Sequence, residues 1–323
     1  MGLLNDFKIG EQFQGSLLVK NTDKRKTKND KDYMSVTLGD KSGVITAMLW
    51  ELNENVEGTF KSGTVVDVTG VISEYQGKRQ LKIHSANLTD DLSNIDKLIE
   101  SAPFDGIEMY KNIIKIISML KNEVLKDMTI TMLERYREPF TEYPAAKMIH
   151  HSYRSGLIYH TLSMIRIGTR LCKLYPEVNP DLLLSGIALH DLMKIKEYEV
   201  NNLDGVGYIG GADFSFDGQM KGHISMINEE IYALAKELGY ENREEVALLQ
   251  NVLLAHHHGK EALLGSPVAG KTIEAILINQ IDLIDSSIDT YRIASKNVND
   301  GEFTEKIFSL GNNSLYKHNL PKE

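Results

Sequence analysis

The 323-residue chain has one cysteine, Cys172, so it can form no internal disulfide, which suits a reducing compartment. It has no apolar run long enough to cross a bilayer. Its first residues, Met1-Gly2-Leu3-Leu4-Asn5-Asp6, lack the basic and apolar segments of a secretion signal. The expectation is a soluble cytoplasmic protein with no membrane partner. Excess positive charge is also missing. A net charge of −9 leaves only local basic patches as a route to polyanions. Prolines number seven and tryptophan is limited to Trp50. What remains, 42% hydrophobic and 25% charged residues, is ordinary for a globular chain long enough for two domains.

Between residues 13 and 88, short apolar stretches alternate with turn residues. Segments 14–20, 33–38, 44–50, 64–72 and 80–83 are predicted strands, with turns at 40–43 and 76–78 and a brief irregular or helical insert at 53–58. Five strands in this arrangement suit an OB-fold barrel over residues 1–90. Residues 20–31 hold six cations, among them Lys24, Arg25, Lys26 and Lys28, against Asp23 and Asp30, a local balance of +4. On such a barrel the loop joining the first two strands commonly grips the ligand. These four residues are therefore candidate phosphate contacts. Tyr33, Trp50 and Tyr75 offer candidate stacking faces, with burial in the core as the equal alternative.

Residues 91–140 read as a helical connector. Helical spacing follows a Ser cap over 91–99, Pro103 and Gly106 interrupt it, and one or two amphipathic helices fill 107–137 before Pro139 and Pro144. Residues 141–323 form the helical half, where the histidines gather. Leu157, His160, Met164, Ile167, Leu171 and Leu174 share one stripe, which turns His160 inward. His190 and Asp191 close the apolar run 182–189, with Lys194 one turn later. His223 heads a helix whose inward face carries Ile227, Ile231 and Leu234. His256 and His257 end the run 246–255, with Gly259 as a cap and His258 beyond the stripe. Asp282 shares a face with Ile278, and Asp285 and Asp289 are fallbacks on that face.

Burying so many imidazoles and carboxylates without partners is costly, and metal coordination resolves the cost. One ion takes three or four protein ligands, so seven candidates indicate two ions. Just upstream, His151 and Arg154 lie in a polar stretch before the His160 helix. They are candidate substrate contacts, with a solvated helix entrance as the equal alternative.

The order His160, His190-Asp191, His223, His256-His257, Asp282 resembles the HD-domain metal-dependent phosphohydrolases. Four motifs narrow the likeness: Gly156-Leu157-Ile158-Tyr159-His160, then His190-Asp191-Leu192-x-Lys194, Gly222-His223-Ile224-Ser225, and His256-His257 followed by Gly265-Ser266-Pro267. Behind an OB-fold barrel, they resemble the YhaM-type 3′→5′ exoribonucleases over both halves of the chain. The resemblance implies an all-α HD domain in which Asp191 bridges two divalent ions. His160, His190 and Asp282 would complete one site, and His223, His256 and His257 the other. Mn2+ is the expected metal, with Fe2+, Co2+ or Mg2+ as alternatives, and Lys194 would hold a phosphate oxygen. The implied activity is 3′→5′ degradation of single-stranded RNA, with DNA as a second substrate, to nucleoside 5′-monophosphates by a two-metal-activated hydroxide.

Met193 stands where the HD signature usually has Gly, and it is expected to crowd the approach to the metals. Apolar faces on the connector helices suggest a homo-oligomer. Two other readings stay open: a hydrolase of small nucleotides, which leaves the basic loop without a role, and a catalytically weak single-strand binder. Residues 205–210 match a dinucleotide-binding fingerprint, but no βαβ unit surrounds them. They read instead as a flexible flap beside the metal site, leading into a hairpin at 214–218.

Overall fold

The computed structural model describes all residues except 1, 28–29, 90, 92, 94, 147–150, 204–206, 258–265 and 322–323, and the side chain of Asp96. The chain divides into two compact units, residues 1–101 with 200–211 and residues 102–199 with 212–323.

In the first unit, β1 (Gln12–Lys26), β2 (Asp32–Asp40), β3 (Gly43–Leu49), β4 (Val65–Tyr75) and β5 (Lys78–Leu88) close into a barrel in the order β1-β2-β3-β5-β4. Helix α1 (Glu54–Thr59) fills the insert between β3 and β4, capped by the Asn53 side chain. Alternation sends Leu17, Val36, Leu38, Ala47, Val66, Val68, Ile72 and Leu81 inward to one core. A register shift between Val19 and Asn21 lets the long β1 pair with β4 along its first half and β2 along its second. Strands β3 and β5 meet in parallel at Thr46 and Gln80. This is the expected five-stranded OB-fold.

One expectation changes here. Lys24, Arg25 and Lys26 do not sit in a loop but extend β1, opposite Met34, Tyr33 and Asp32 of β2. Backbone pairing prolongs the strand where the side chains carry no apolar alternation. Lys28 lies outside the described residues.

The short α2 (Ile95–Leu98) follows the barrel. Strands β6 (Tyr198–Leu203) and β7 (Gly207–Phe214) form a two-stranded ribbon, and its 200–211 portion belongs to the barrel unit. Ile209 is buried with Leu18, Val65, Leu98 and Ile99, which anchors β7 at that residue, while residues 205 and 206 of the expected flap lie outside the described residues. Residues 214–218 are no hairpin either. Ser215 accepts a hydrogen bond from the Gly218 N–H and starts a helix.

The second unit is helical: α3 (Gly106–Ile117), α4 (Glu123–Arg135), α5 (Arg137–Glu142), α6 (Gly156–Leu174), α7 (Pro180–Leu189), α8 (Lys194–Glu197), α9 (Phe216–Glu237), α10 (Glu244–Leu254) and α11 (Ile273–Ala294), followed by the short pair β8 (Glu302–Phe303) and β9 (Tyr316–Lys317). Pro139 lies in the first turn of α5, where no intrahelical donor is needed, rather than ending a helix. Met109, Ile113, Met128, Met132 and Phe140 from α3 to α5 share one apolar core with α6, α7, α9, α10 and α11. No described helix is long and apolar enough to cross a membrane.

Candidate metal centre and nucleic-acid face

Local sequence aims each donor of the helical unit. Helix α7 is buried from Leu182 to Leu189, so it runs through the core and delivers His190 and Asp191 from its end into the interior. Helix α6 contributes His160 from its buried face. Helix α9 bends at Gly222, whose φ of 70° and ψ of 157° no residue with a Cβ adopts readily, and the bend turns His223 inward. His256 and His257 follow the last turn of α10, and α11 presents Asp282, Asp285 and Asp289.

These side chains converge on Asp191, which is 2% exposed. Its Oδ2 lies 3.3 Å from His190 Nε2 and 3.7 Å from His160 Nε2. Its Oδ1 lies 3.3 Å from His223 Nε2 and 3.9 Å from His256 Nε2. One carboxylate therefore divides the cluster, with an oxygen turned to each half. Asp282 joins both halves: Oδ1 is 3.3 Å from His160 Nε2 and Oδ2 is 4.0 Å from His257 Nδ1. Donor atoms of Asp191, His223, His256 and His257 lie within 4.8 Å of one another, as do those of His160, His190 and Asp191.

Hydrogen bonds behind the rings fix which nitrogen points in. His190 Nδ1 and His256 Nδ1 lie 2.8 Å and 2.7 Å from the Ile187 and Leu253 carbonyl oxygens, and a carbonyl can only accept. His160 Nδ1 is 2.8 Å from Asp285 Oδ2, and His223 Nδ1 is 2.9 Å from Glu197 Oε1. Donation from each Nδ1–H turns Nε2 toward the cluster.

His190 Nε2, Asp191 Oδ1, His223 Nε2, His256 Nε2 and His257 Nδ1 are buried and have no hydrogen-bond partner. Orphaned buried polar atoms are rare, and here five of them face one centre. Ligands about 2.1 Å from a shared cation lie roughly 3 to 3.5 Å apart, so the observed spacings need only slight contraction to hold divalent ions. The residues fit two cations, one on each side of Asp191.

Electrostatics agree. Burial opposes charge on Asp191, but His190, Lys194 and His223 hold its carboxyl well below the usual range. Burial likewise opposes charge on Asp282, and His160 holds it low. Burial alone would lower His160, yet Asp282 and Asp285 carry it up to about 10, as protons stand in for cations between carboxylates. His257 is pushed down to about 4 by burial, and His256 falls well below the usual range through burial and its imidazole neighbours. Both rings are thus kept neutral.

Lys194 Nζ lies 2.7 Å from Asp191 Oδ2 and is buried, its charge held by that carboxylate. Met193 does not crowd the centre. It is fully buried in the apolar core, and its φ of −77° needs no glycine. His151 is not open to a ligand: it is 1% exposed, with Nε2 2.8 Å from Asp285 Oδ2 and Nδ1 2.7 Å from Tyr153 Oη. Arg154 lies half-buried, 3.4 Å from Glu142. His258 lies outside the described residues. Glu197 and Asp285 were missed as outer partners, because nothing in the sequence spacing ties Glu197 to His223.

On the barrel, Tyr33 stacks on Trp50 with ring centroids 5.0 Å apart and planes inclined by 29°. Trp50 is 60% exposed, so it is not a core residue. The pair lines a groove along β3 and β5 with Tyr75, Lys82 and His84. Lys24, Arg25 and Lys26 form exposed pairs with Glu57, Asp23 and Asp30 at 2.6, 2.6 and 2.9 Å. Such solvent-screened pairs hold by only about 1 kcal/mol or less.

Residues 157–287 match the HD domain family, and residues 18–89 match the OB-fold nucleic acid binding domain. The chain is 39% identical to the 3′-5′ exoribonuclease YhaM of Oceanobacillus iheyensis, over 97% of this chain and 96% of that one. It is 38% identical to YhaM of Listeria welshimeri, over 97% of both chains. Against YhaM of Halalkalibacterium halodurans the identity is 37%, over 97% of this chain and 95% of the relative. With both domains matched and the likeness running nearly end to end, the chain belongs to the YhaM family of 3′-5′ exoribonucleases.

Proposed function

We propose that this protein is a metal-dependent exonuclease that shortens single-stranded RNA from its 3′ end and releases nucleoside 5′-monophosphates. DNA is the second candidate substrate. The observation that carries the reading is the set of five partnerless buried atoms gathered around Asp191. His160, His190, Asp191 and Asp282 would hold one divalent ion, and Asp191, His223, His256 and His257 the other. Bound there, two divalent ions, Mn2+ first among them, supply a hydroxide nucleophile at neutral pH and offset the charge gathering on the phosphoryl oxygens.

The chain's own residues do the rest. Asp191 keeps both halves of the site in register. Lys194, already charged and buried beside Asp191, is placed to hold a phosphoryl oxygen. The Tyr33–Trp50 pair stacks bases, while Lys24, Arg25 and Lys26 exchange their acidic partners for phosphates. In this division of labour residues 1–90 capture the strand, residues 141–323 cleave it, and 91–140 connect the two. We place the protein in the cytosol, which suits one unpaired cysteine.

A 5′-labelled single-stranded oligoribonucleotide incubated with the full chain and Mn2+ tests the proposal. It should shorten progressively from the 3′ end while mononucleotides accumulate. Internal cuts, or hydrolysis of small nucleotides with intact oligomers, would refute it.

A further inference from the structure

Each half of the cluster has one imidazole backed by a carboxylate and one backed by a backbone carbonyl. On the His160 side, Asp285 Oδ2 accepts from His160 Nδ1 at 2.8 Å, while His190 leans on the Ile187 carbonyl. On the His223 side, Glu197 Oε1 accepts from His223 Nδ1 at 2.9 Å, while His256 leans on the Leu253 carbonyl. A carboxylate behind a ligand ring does two things a carbonyl does less well: it makes the facing nitrogen more basic, and it locks the tautomer.

Both carboxylates are built in with more contacts than a chance neighbour would have. The same Glu197 Oε1 also accepts from the His223 backbone N–H at 3.0 Å, directly after the bend at Gly222. A side chain on Gly218 would strike the Glu197 carbonyl oxygen, so the start of α9 packs onto this residue. Asp285 Oδ2 is shared with His151, whose Nε2 is 2.8 Å away. The far nitrogen of His151 meets Tyr153 Oη at 2.7 Å, and its backbone N–H donates to Asp289 Oδ2 at 2.7 Å. His151 holds a φ of 47° to reach this place, a conformation that persists only when its surroundings enforce it. Tyr153, His151 and Asp285 thus form a line, fully buried at His151, that ends on the back of His160.

We infer that Asp285 and Glu197 are positioning residues, each setting the cation affinity of one half of the centre independently of the other, and that His151 acts by holding Asp285. The inference rests on the two-cation reading of the cluster. It gives His151 a role in the metal site rather than on the substrate.

Titration of the EDTA-stripped full-length chain with Mn2+, following free Mn2+ by electron paramagnetic resonance, tests it. Wild type should show two sites and, when full, the signature of a coupled Mn2+ pair. Asp285→Asn and Glu197→Gln keep shape and an acceptor oxygen, so they should fold. Each should weaken one site by roughly 10- to 100-fold, leave the other unchanged, and abolish the coupled signal at limiting metal. In a His160→Ala background, Asp285→Asn should add no further loss while Glu197→Gln weakens the remaining site. His151→Gln should reproduce the Asp285→Asn pattern in milder form. Wild type binding no Mn2+ would overturn the two-cation reading itself. Wild type binding two ions, with single variants that retain both affinities or lose both together, would overturn the inference alone.

Discussion

Replacing Asp191 with Asn removes one negative charge from the position where both halves of the cluster meet, and the consequences can be separated. Asp191 faces Lys194 at 2.7 Å, His190 and His223 at 3.3 Å, His160 at 3.7 Å and His256 at 3.9 Å. In the metal-free protein the substitution strands the buried Lys194 ammonium. Breaking a buried ion pair from one side costs about 3–5 kcal/mol. For a unit of roughly 200 residues, that lowers the melting temperature by about 6–20 °C. If the same energy is lost from the transition state, cleavage falls roughly 10²- to 10⁴-fold.

The assay is a double-mutant cycle with Lys194→Met. Removing the stranded ammonium should return most of the lost stability and none of the lost cleavage, because the two effects have different causes. Binding of a single-stranded oligonucleotide should survive in every variant, since the stacking pair and basic strand belong to the barrel. Wild-type cleavage by the Asp191→Asn enzyme would refute the bridging role. Failure of Lys194→Met to restore the melting temperature would refute the stranded-charge account.

Trp50→Ala should weaken binding of a long oligoribonucleotide by the worth of about one stacked base, roughly 1–3 kcal/mol, and leave cleavage of a dinucleotide unchanged. Equal loss on both substrates would rule out the stacking role. Stability of the EDTA-stripped protein should depend on pH from both sides of the ordinary histidine value. His257 is depressed to about 4, so the unfolded chain binds more protons between 4 and about 6.5, and stability rises with pH there. His160 is raised to about 10, so the folded chain holds the extra proton above about 6.5, and stability falls as pH climbs toward 10. Saturating Mn2+ should flatten the alkaline limb by replacing that proton. Thermal melts from pH 5 to 9 check both limbs, and an alkaline limb unchanged by metal would count against His160 as a ligand.

How far the sequence spoke for itself depended on whether the physics was periodic. The barrel was legible because inward residues alternate, as in Val66, Val68 and Ile72. The candidate ligands were legible because each polar group interrupts or ends an apolar helical stripe, as His160 does between Leu157 and Met164. Where pattern stops, legibility stops. Nothing local says that Lys24, Arg25 and Lys26 stay in a strand, since only pairing with β2 holds them there. Met193 looked like an obstruction because its neighbours His190, Asp191 and Lys194 face the centre, yet the turn after α7 sends its side chain into the core.

The outer carboxylates show the limit most clearly. Glu197 precedes His223 by 26 residues and Asp285 follows His160 by 125, so neither pair leaves a spacing that marks it as coupled. His151 misled for a physical reason: a polar residue at a helix entrance is usually solvated, and this one is buried because Asp285 and Asp289 accept its donors. A buried histidine with two carboxylates behind it is expensive to maintain unless its orientation matters to something beyond itself. Its ring nitrogens meet Asp285 and Tyr153, and beyond Asp285 lies His160. On the proposal that His160 holds a cation, the cost of burying His151 is part of the cost of aiming His160.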